Sequence, residues 1–294
     1  MLGEIQTTLN IGEKLWKFIK FLRNIDSSPE ETVSGRFVRL FECHNVHRNQ
    51  IPRFFGHGLT VKDVQDDQSL IEKLDESLLA AACERFGVRR EWLDGAETQV
   101  YACHDFYKSP ADVQPFLNGL REANPEGRLD GVLLAPQEGK GDALVVFSEL
   151  IGEVGDKPVY RYHLCNNWLF HYWKSRACLA AFISICWKNG VFVRGGYLPA
   201  KTIRAIAWGE SLVGLDSGEL IHRSARRWDP EDMALKPDVF LSDIEPEMNQ
   251  FGLRAGLGLW LKLEQEGYME TGLAMYSKAE IRTAFEQKLA EFSK

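Results

Sequence analysis

The sequence predicts two regions of different fold class, an all-α region followed by an α+β domain. Helix-forming patterns, with capping and turn residues between them, run through residues 35–96. From residue 131 onwards, short β-rich runs alternate with apolar helical stretches. The segment 124–130, NPEGRLD, is rich in turn-forming residues and separates the two patterns. A chain of 294 residues is long enough for two domains.

The composition is that of an ordinary globular protein, with 45% hydrophobic and 26% charged residues. The net charge of −7 argues against indiscriminate nucleic-acid binding over the whole surface. The longest apolar run, residues 177–187, is shorter than the roughly 18 residues that indicate a membrane span, so no membrane partner is expected. Residues 1–10 are polar and predict no signal peptide. Six cysteines without framework spacing predict reduced thiols and a cytoplasmic location.

Residues 1–34 are predicted to form a basic amphipathic helix and a linker. Within residues 9–25, Leu15, Ile19 and Leu22 share one side, and basic side chains line the other. Such a helix is expected to pack on the next domain or on a second subunit, where it would support dimerisation or contact phosphate. The polar residues 26–34 contain the start signals of the next helix.

A helix-turn-helix pattern follows in residues 37–56, which read FVRLFECHNVHRNQIPRFFG. Leu40 and Phe41 are expected to face inward from the first helix. Asn45 is expected to make the turn, and Ile51 and Phe54 to close the second helix onto the first. Two helices that cross steeply around one small apolar core require this arrangement.

The second helix of this pattern is expected to present four polar side chains outward. They are of the types that contact base edges and phosphates in a major groove, and they are Arg48, Asn49, Gln50 and Arg53. The local charge agrees with this interpretation, because residues 1–60 contain eight Lys/Arg against six Asp/Glu, whereas the rest of the chain is acidic.

Further helices are predicted after this pattern. Residues 75–86 form a helical pattern that ends at Gly87, a residue suited to a left-handed helix stop. Trp92 and Leu93 would anchor a last short helix. The segment AACERFGVRREWLDG resembles the closing helices of the Cro/C1-type (lambda-repressor-like) helix-turn-helix family, and residues 37–56 are similar to that family's second and third helices. The resemblance covers residues 35–96.

The resemblance implies a DNA-binding transcriptional regulator that binds paired half-sites as a homodimer. It places the four outward residues named above on the recognition helix. The sequence departs from the family at three positions: Phe41 stands where alanine is usual, Asn45 replaces the turn glycine, and Pro52 falls within the recognition helix. Asparagine enters the left-handed region at modest cost, and a helix that begins near Asn49 would place Pro52 in its first turn.

The C-terminal domain, residues 127–294, is predicted to contain a small antiparallel sheet with helices on one face. Strands are expected at 131–135, 143–151 and 159–164, and a buried helix at 168–188, capped by Asn166 or Asn167. Later elements are a strand at 191–197, a helix at 199–208, a strand at 238–244, and helices at 246–263 and 277–292. The complete prediction is therefore an N-terminal all-α helix-turn-helix domain, residues 35–126, followed by this α+β domain.

An aromatic region with interleaved polar groups, residues 160–173, is the predicted ligand site, because small-molecule pockets have this composition. The same composition is expected where a strand and a helix pack in a core. Arg161 and Arg194 are candidate partners of an anion. The full predicted set is Tyr162, His163, Asn166, Asn167, Trp168 and Arg194.

Other chemistry is not indicated. The sequence contains no phosphate-binding loop and no nucleophile-elbow serine. Cysteine and histidine lie close together at Cys43-His44 and Cys103-His104, as zinc ligands or a nucleophilic pair do, but half-buried structural side chains are the favoured interpretation. No catalytic residue, metal or cofactor is predicted.

These patterns favour a transcriptional regulator with a C-terminal sensing or dimerisation domain. Its expected partners are double-stranded DNA, a small-molecule effector and a second copy of the chain. Two alternatives remain open at this level: an enzyme with its site in the aromatic region 160–200, and an interaction adaptor that retains the helix-turn-helix shape without binding DNA.

Overall fold

The computed structural model describes residues 31–214, 224, 226–273 and 277–292. The predicted basic helix at residues 9–25 lies outside these residues. The chain divides into two compact units. Of the described residues, the first unit comprises 31–101, 153–159 and 209–214, and the second comprises 102–152, 160–208, 224, 226–273 and 277–292. No helix in the described ranges is long and apolar enough to cross a membrane.

The first unit is built from short helices, three of which begin at side-chain caps. Thr32, Asp66 and Asp75 each accept a hydrogen bond from a backbone N–H in the first turn of the helix that follows. The fourth helix ends at Gly87, whose φ of 68° is the left-handed stop that the sequence predicted. The helices are α1 (Val33–Cys43), α2 (Ile51–Phe55), α3 (Asp67–Ile71), α4 (Glu76–Phe86) and α5 (Arg90–Asp94), with a 3-10 turn at Arg48–Gln50 before α2.

Phenylalanine rings form the core of the first unit. Phe41 is completely buried, and its ring centroid lies 4.9 Å from that of Phe37, 5.1 Å from that of Phe55 and 4.9 Å from that of Phe86. These contacts are tilted or edge-to-face, which are the favourable orientations of aromatic pairs. The bulky Phe41, a departure from the family pattern, is therefore accommodated by other large rings.

The second unit contains a mixed six-stranded sheet. Its strands are β1 (Cys103–Asp105), β2 (Leu129–Pro136), β3 (Asp142–Val154), β4 (Lys157–Leu169), β5 (Val193–Leu198) and β6 (Arg227–Trp228). Their order in the sheet is β1-β4-β3-β2-β5-β6. β2 pairs with β3 in antiparallel orientation, but β1 runs parallel to β4, and β5 runs parallel to β2. The predicted small antiparallel sheet is therefore wrong.

Helices complete the second unit. The described ones are α6 (Val113–Ala123), α7 (Trp173–Lys188), α8 (Ala200–Ala207), α9 (Asp232–Leu235), α10 (Pro237–Leu241), α11 (Phe251–Gln265) and α12 (Lys278–Glu291). Residues 175–186 of α7 are all buried, as its apolar sequence predicted. α7 lies between β4 and β5, and it supplies the long connection that lets the chain cross the sheet and run in β5 parallel to β2.

Two predicted elements differ from the structure. Residues 237–241 form helix α10 instead of the predicted strand at 238–244, because Pro237 occupies its first turn and sets a helical φ. The predicted helix start at Trp168 is also wrong. β4 continues to Leu169, and Asn167 adopts a φ of 65° within it, so α7 begins only at Trp173.

Candidate functional site

The turn between the two predicted helix-turn-helix elements has the expected backbone. Asn45 adopts a φ of 65°, the left-handed conformation that asparagine tolerates. Pro52 lies in the first turn of α2, where its missing N–H breaks no helical hydrogen bond. The 3-10 turn at Arg48–Gln50 leads directly into α2, so these two segments together occupy the position of the predicted second helix.

The four predicted DNA-contacting residues are not all equally available. Asn49 and Arg53 are exposed. Arg48 donates from Nε to the Val64 carbonyl at 2.6 Å, and its Nη2 lies 2.6 Å from an Asp67 oxygen. The side-chain oxygen of Gln50 accepts from the backbone N–H of His47 at 3.1 Å, and so caps the 3-10 turn. Three of the four are therefore exposed, but the side chain of Gln50 is committed to the cap of the 3-10 turn, and the half-buried Arg48 holds the local fold.

The neighbouring arginines of α1 are also engaged within the first unit. Arg36 donates to the Trp92 carbonyl at 2.6 Å, and Arg39 lies 3.0 Å from Glu31. Close to Arg48, hydrogen bonds from Thr60 lower the pKa of Asp63, and those from Ser69 lower the pKa of Asp66. These carboxylates remain ionised at neutral pH. The surface beside Arg48 is therefore more acidic than the isolated stretch 37–56 indicated.

The predicted ligand residues of the second unit do not converge on one point. Trp168 is 1% exposed and donates from its indole N–H to the Cys165 carbonyl. Asn166 is buried and donates to the Ala207 carbonyl, whereas Asn167 donates to Asp105. Tyr162 and His163 are adjacent in β4 and therefore point to opposite faces of the sheet. Arg194 on β5 is exposed.

The structure contains a buried polar cluster around Glu149 that the sequence did not predict. Two of its members, His163 and Arg161, were candidate ligand residues. Glu149 on β3 is 2% exposed, and its Oε2 accepts from His163 Nε2 at 2.7 Å. Its Oε1 accepts from Asn124 Nδ2 at 2.8 Å, and Arg161 lies 3.8 Å from Oε2. Burial alone would raise the pKa of Glu149, but the bonds from His163 and Asn124 and the charge of Arg161 outweigh it, so the pKa is lowered.

This cluster holds a histidine in one orientation, which is the arrangement that supports general-base chemistry at the other ring nitrogen. His163 is only 9% exposed, however, and the His104 ring lies 6.1 Å from it and 4.6 Å from the ring of Phe116 on α6. Burial and the neighbouring His163 lower the pKa of His104. The contacts of the cluster are structural, because they join β3, β4 and the end of α6.

Glu149→Gln is expected to lower the free energy of unfolding by about 1–2 kcal/mol at neutral pH, because the charge-assisted bond from His163 is lost. A carboxyl with a lowered folded-state pKa stabilises above its unfolded pKa, and this contribution disappears as the pH falls through the folded pKa. The difference from wild type should therefore shrink on acidification, as urea unfolding at several pH values will show. Glu153→Gln, an exposed change on the same strand, should change stability by less than about 0.5 kcal/mol.

A groove of about 720 Å³ lies within the second unit. Its walls come from the segment 108–112 after β1, from the first part of α7, and from residues 258–268 at the end of α11. None of the predicted ligand residues lines it. A cavity of this size with apolar and charged walls has the dimensions of a small-molecule site.

Over the ranges that the structure describes, no group of three or more His, Cys, Asp or Glu side chains is arranged to hold a metal ion. The six cysteines are all free thiols. Comparisons of the chain with protein-family models, with curated proteins and with solved structures gave no match.

Proposed function

We propose that the protein is a DNA-binding transcriptional regulator that acts as a homodimer. In this proposal the first unit binds double-stranded DNA, and the second unit senses a small-molecule effector or supports dimerisation. The supporting observation is the succession of α1, the left-handed turn at Asn45, and the 3-10 turn with α2, which carries Asn49 and Arg53 exposed. A short helix that presents such residues after a tight turn is the element that enters a major groove.

The three departures from the Cro/C1-type pattern are compatible with the proposal. Asn45 takes the conformation that glycine usually provides, Pro52 is in the first turn of α2, and Phe41 packs among other rings. None of them interrupts a helix or leaves a gap in the core. The resemblance therefore supports a helix-turn-helix module in the first unit.

The charge of the first unit restricts how it would bind. Residues 31–101 contain twelve Asp/Glu and nine Lys/Arg, so acidic side chains outnumber basic ones in this part of the chain. Non-specific affinity comes mainly from phosphate neutralisation, and we expect it to be weak here. Specific binding would depend on a narrow contact through Arg53 and Asn49 and on two protomers engaging paired half-sites. In this arrangement Arg48 positions α2 by its bond to Val64 and contacts no base.

Arg53→Ala is expected to weaken binding of the full chain to a selected duplex about 10-fold, because one charged contact per protomer is lost. The plot of log K against log salt should become less steep by about one for each protomer. A selected duplex from a random pool, followed by fluorescence anisotropy across a salt series, gives both quantities. Arg254→Ala is a matched control, since Arg254 is an exposed arginine on α11 of the second unit.

If the protein is not retained on duplex DNA, or if its retention does not depend on salt, it is not a DNA-binding regulator, and the adaptor alternative is favoured. Unchanged affinity in Arg53→Ala, with wild-type binding intact, would show that the recognition surface lies elsewhere. Sedimentation of the protein–DNA complex would report whether two copies bind each duplex.

A further inference from the structure

One glycine that lines the groove in the second unit is not required by the packing of the fold. α11 contains three glycines, and two of them have structural reasons. A Cβ at Gly252 would lie 2.3 Å from the Glu245 carbonyl oxygen, and one at Gly256 would lie 3.3 Å from the Trp173 Cβ. A Cβ at Gly258 would meet no described atom within 4 Å, and Gly258 lines the groove. Glycine weakens a helix interior, so its use at this position keeps the groove open without helping α11 to fold.

Two ammonium groups at the groove lack acidic partners. Lys108 and Lys174 both line it, and among the residues that the structure describes neither forms an ion pair with a carboxylate. The Lys108 Nζ lies 4.7 Å from the centre of the Tyr107 ring, and the Lys174 Nζ lies 5.1 Å from that of Trp173. Their charges are thus held over aromatic rings at the groove wall and remain available to an anion.

The start of α7 adds to this positive potential. Its first residue is Trp173, which lines the groove, and its N-cap residue Tyr172 makes no side-chain capping hydrogen bond. The first turn contains no acidic residue and instead contains Lys174. A helix N-terminus favours negative charge nearby, so a lysine in this position is unfavourable until an anion is present.

The backbone of Lys108 provides an independent indication. Lys108 adopts a φ of 67° at the third position of a turn that the Ser109 N–H closes onto the Phe106 carbonyl. Glycine or asparagine is the usual residue at such a position. Strained conformations of other residues are concentrated at binding and catalytic sites. Lys108 therefore lines the groove although its backbone conformation is unfavourable for a lysine.

The remaining walls are largely apolar. Trp173, Leu259, Leu263 and Tyr268 line the groove. Two carboxylates also line it: Glu266 lies 3.8 Å from the Lys262 ammonium and offsets its charge, and Asp112 belongs to the segment 108–112. The lining therefore has three lysines against two carboxylates, a formal net charge of +1, beside a wall of aromatic and aliphatic side chains. Charge complementarity favours a ligand with a single negative charge and an apolar body over a nucleotide or a highly charged phosphate.

We propose that this groove binds a small amphiphilic carboxylate, with its carboxylate group between Lys108, Lys174 and the start of α7, and its hydrocarbon or aromatic body over Gly258. This proposal depends on the proposed function in one respect only: if the protein is a transcriptional regulator, this ligand is its effector. It is tested without DNA, so either hypothesis can fail while the other stands.

The first experiment compares three probes of equal chain length, decanoate, decanol and decylamine, by isothermal titration calorimetry on the full-length protein below their micellar concentrations. Decanoate is expected to bind saturably at one site per chain. Decanol should bind about 10-fold more weakly, because it lacks the anion, and decylamine more weakly still. Equal affinity for all three would show an apolar surface without anion preference and would overturn the proposal.

The second experiment uses variants that should fold normally. Gly258→Leu adds a side chain where the structure has open space and raises helix propensity, so its melting temperature should equal or exceed that of wild type while decanoate affinity falls at least about 10-fold. Gly119→Leu is the matched control, because Gly119 is an exposed glycine on α6 where an added Cβ would also meet no atom within 4 Å. It should leave affinity unchanged.

The double variant Lys108→Gln/Lys174→Gln should reduce decanoate affinity to that of decanol and leave decanol affinity unchanged. Absence of saturable decanoate binding to the wild-type protein would overturn the proposal. Decanoate binding that survives Gly258→Leu would place the ligand elsewhere and also overturn it. A wild-type dimer that becomes a monomer in Gly258→Leu, with no decanoate binding by either protein, would identify the groove as an interface between copies and exclude a ligand site.

Discussion

Arg176→Ala is expected to lower the free energy of unfolding by about 3–5 kcal/mol. Arg176 is 1% exposed on α7, and both Nε and Nη2 donate to the Phe170 carbonyl, at 3.1 and 2.9 Å. Its Nη1 donates to the Phe240 carbonyl at 3.1 Å. The side chain therefore joins the connection after β4 to helix α10. Alanine would leave both carbonyl oxygens without this donor and would open a cavity at the same place.

The charge of Arg176 is unfavourable by itself, since burial lowers the pKa of its guanidinium to about 10. The folded-state pKa of this base lies below its unfolded value, so burial of the cation opposes folding at every pH below about 10. The cation is nevertheless protonated at neutral pH. The hydrogen bonds to the two carbonyls are the compensating interactions.

Urea unfolding of the full chain will measure the effect. Arg176→Lys should give an intermediate loss, because one ammonium group cannot reproduce the planar array of donors. The exposed Arg254→Ala on α11 should change stability by less than about 0.5 kcal/mol. A loss below about 1 kcal/mol in Arg176→Ala would mean that water or repacking satisfies the two carbonyls, and that Arg176 is not required to hold α10.

Acidification is expected to destabilise the first unit selectively, by up to about 3 kcal/mol, through His44. His44 is 1% exposed, its Nδ1 is 2.6 Å from the Leu40 carbonyl, and its ring lies 4.4 Å from that of Phe86. Burial lowers the pKa of His44 from 6.5 to about 4, more than the bond to Leu40 raises it. The unfolded chain therefore binds a proton that the folded unit excludes, and stability falls as the pH drops from 6.5 towards 4.

Amide hydrogen exchange in α1, measured as a function of pH after correction for intrinsic rates, isolates the first unit from acid effects in the second, where the pKa of His104 is also lowered. His44→Phe should be less stable at neutral pH because the bond to Leu40 is lost, but its stability should depend little on pH between 4 and 6.5. His57→Gln, at an exposed histidine, should retain the wild-type dependence. An unchanged slope in His44→Phe would assign the acid sensitivity to another group.

Local signals predicted the helical part well. Gly87 ends α4, Asn45 forms the left-handed turn, and Trp92 and Leu93 are buried, as expected from the sequence. These features depend on a few adjacent residues and their backbone preferences. Whether Arg48 faces solvent depended instead on Val64 and Asp67, which are distant in sequence and turn its guanidinium towards the unit. The sequence therefore identified the candidate residues but not which of them are available.

Strand pairing in the sheet also depends on residues that are distant in sequence. Its central strands and the buried helix α7 were predicted from alternation and composition, but their pairing was not. The long buried α7 between β4 and β5 is the sequence signal of a crossover, which lets β5 run parallel to β2. The polar cluster around Glu149 was not predicted, because its members are far apart in sequence: Glu149 lies on β3, His163 lies on β4, and Asn124 directly follows α6. Trp168 was predicted to bind ligand, yet it fills the core.

The sequence by itself determined where most helices start and stop, which strands are buried, and that residues 35–96 form a compact helical series. Capping, glycine stops and hydrophobic periodicity are local, so one chain segment contains all the information they need. Only the tertiary structure decided the strand order, the internal bonds of Arg48 and Arg176, and the groove that Gly258 lines. Those features bring together residues far apart in sequence, and the free energy that selects them comes from packing and burial, which the folded chain alone defines.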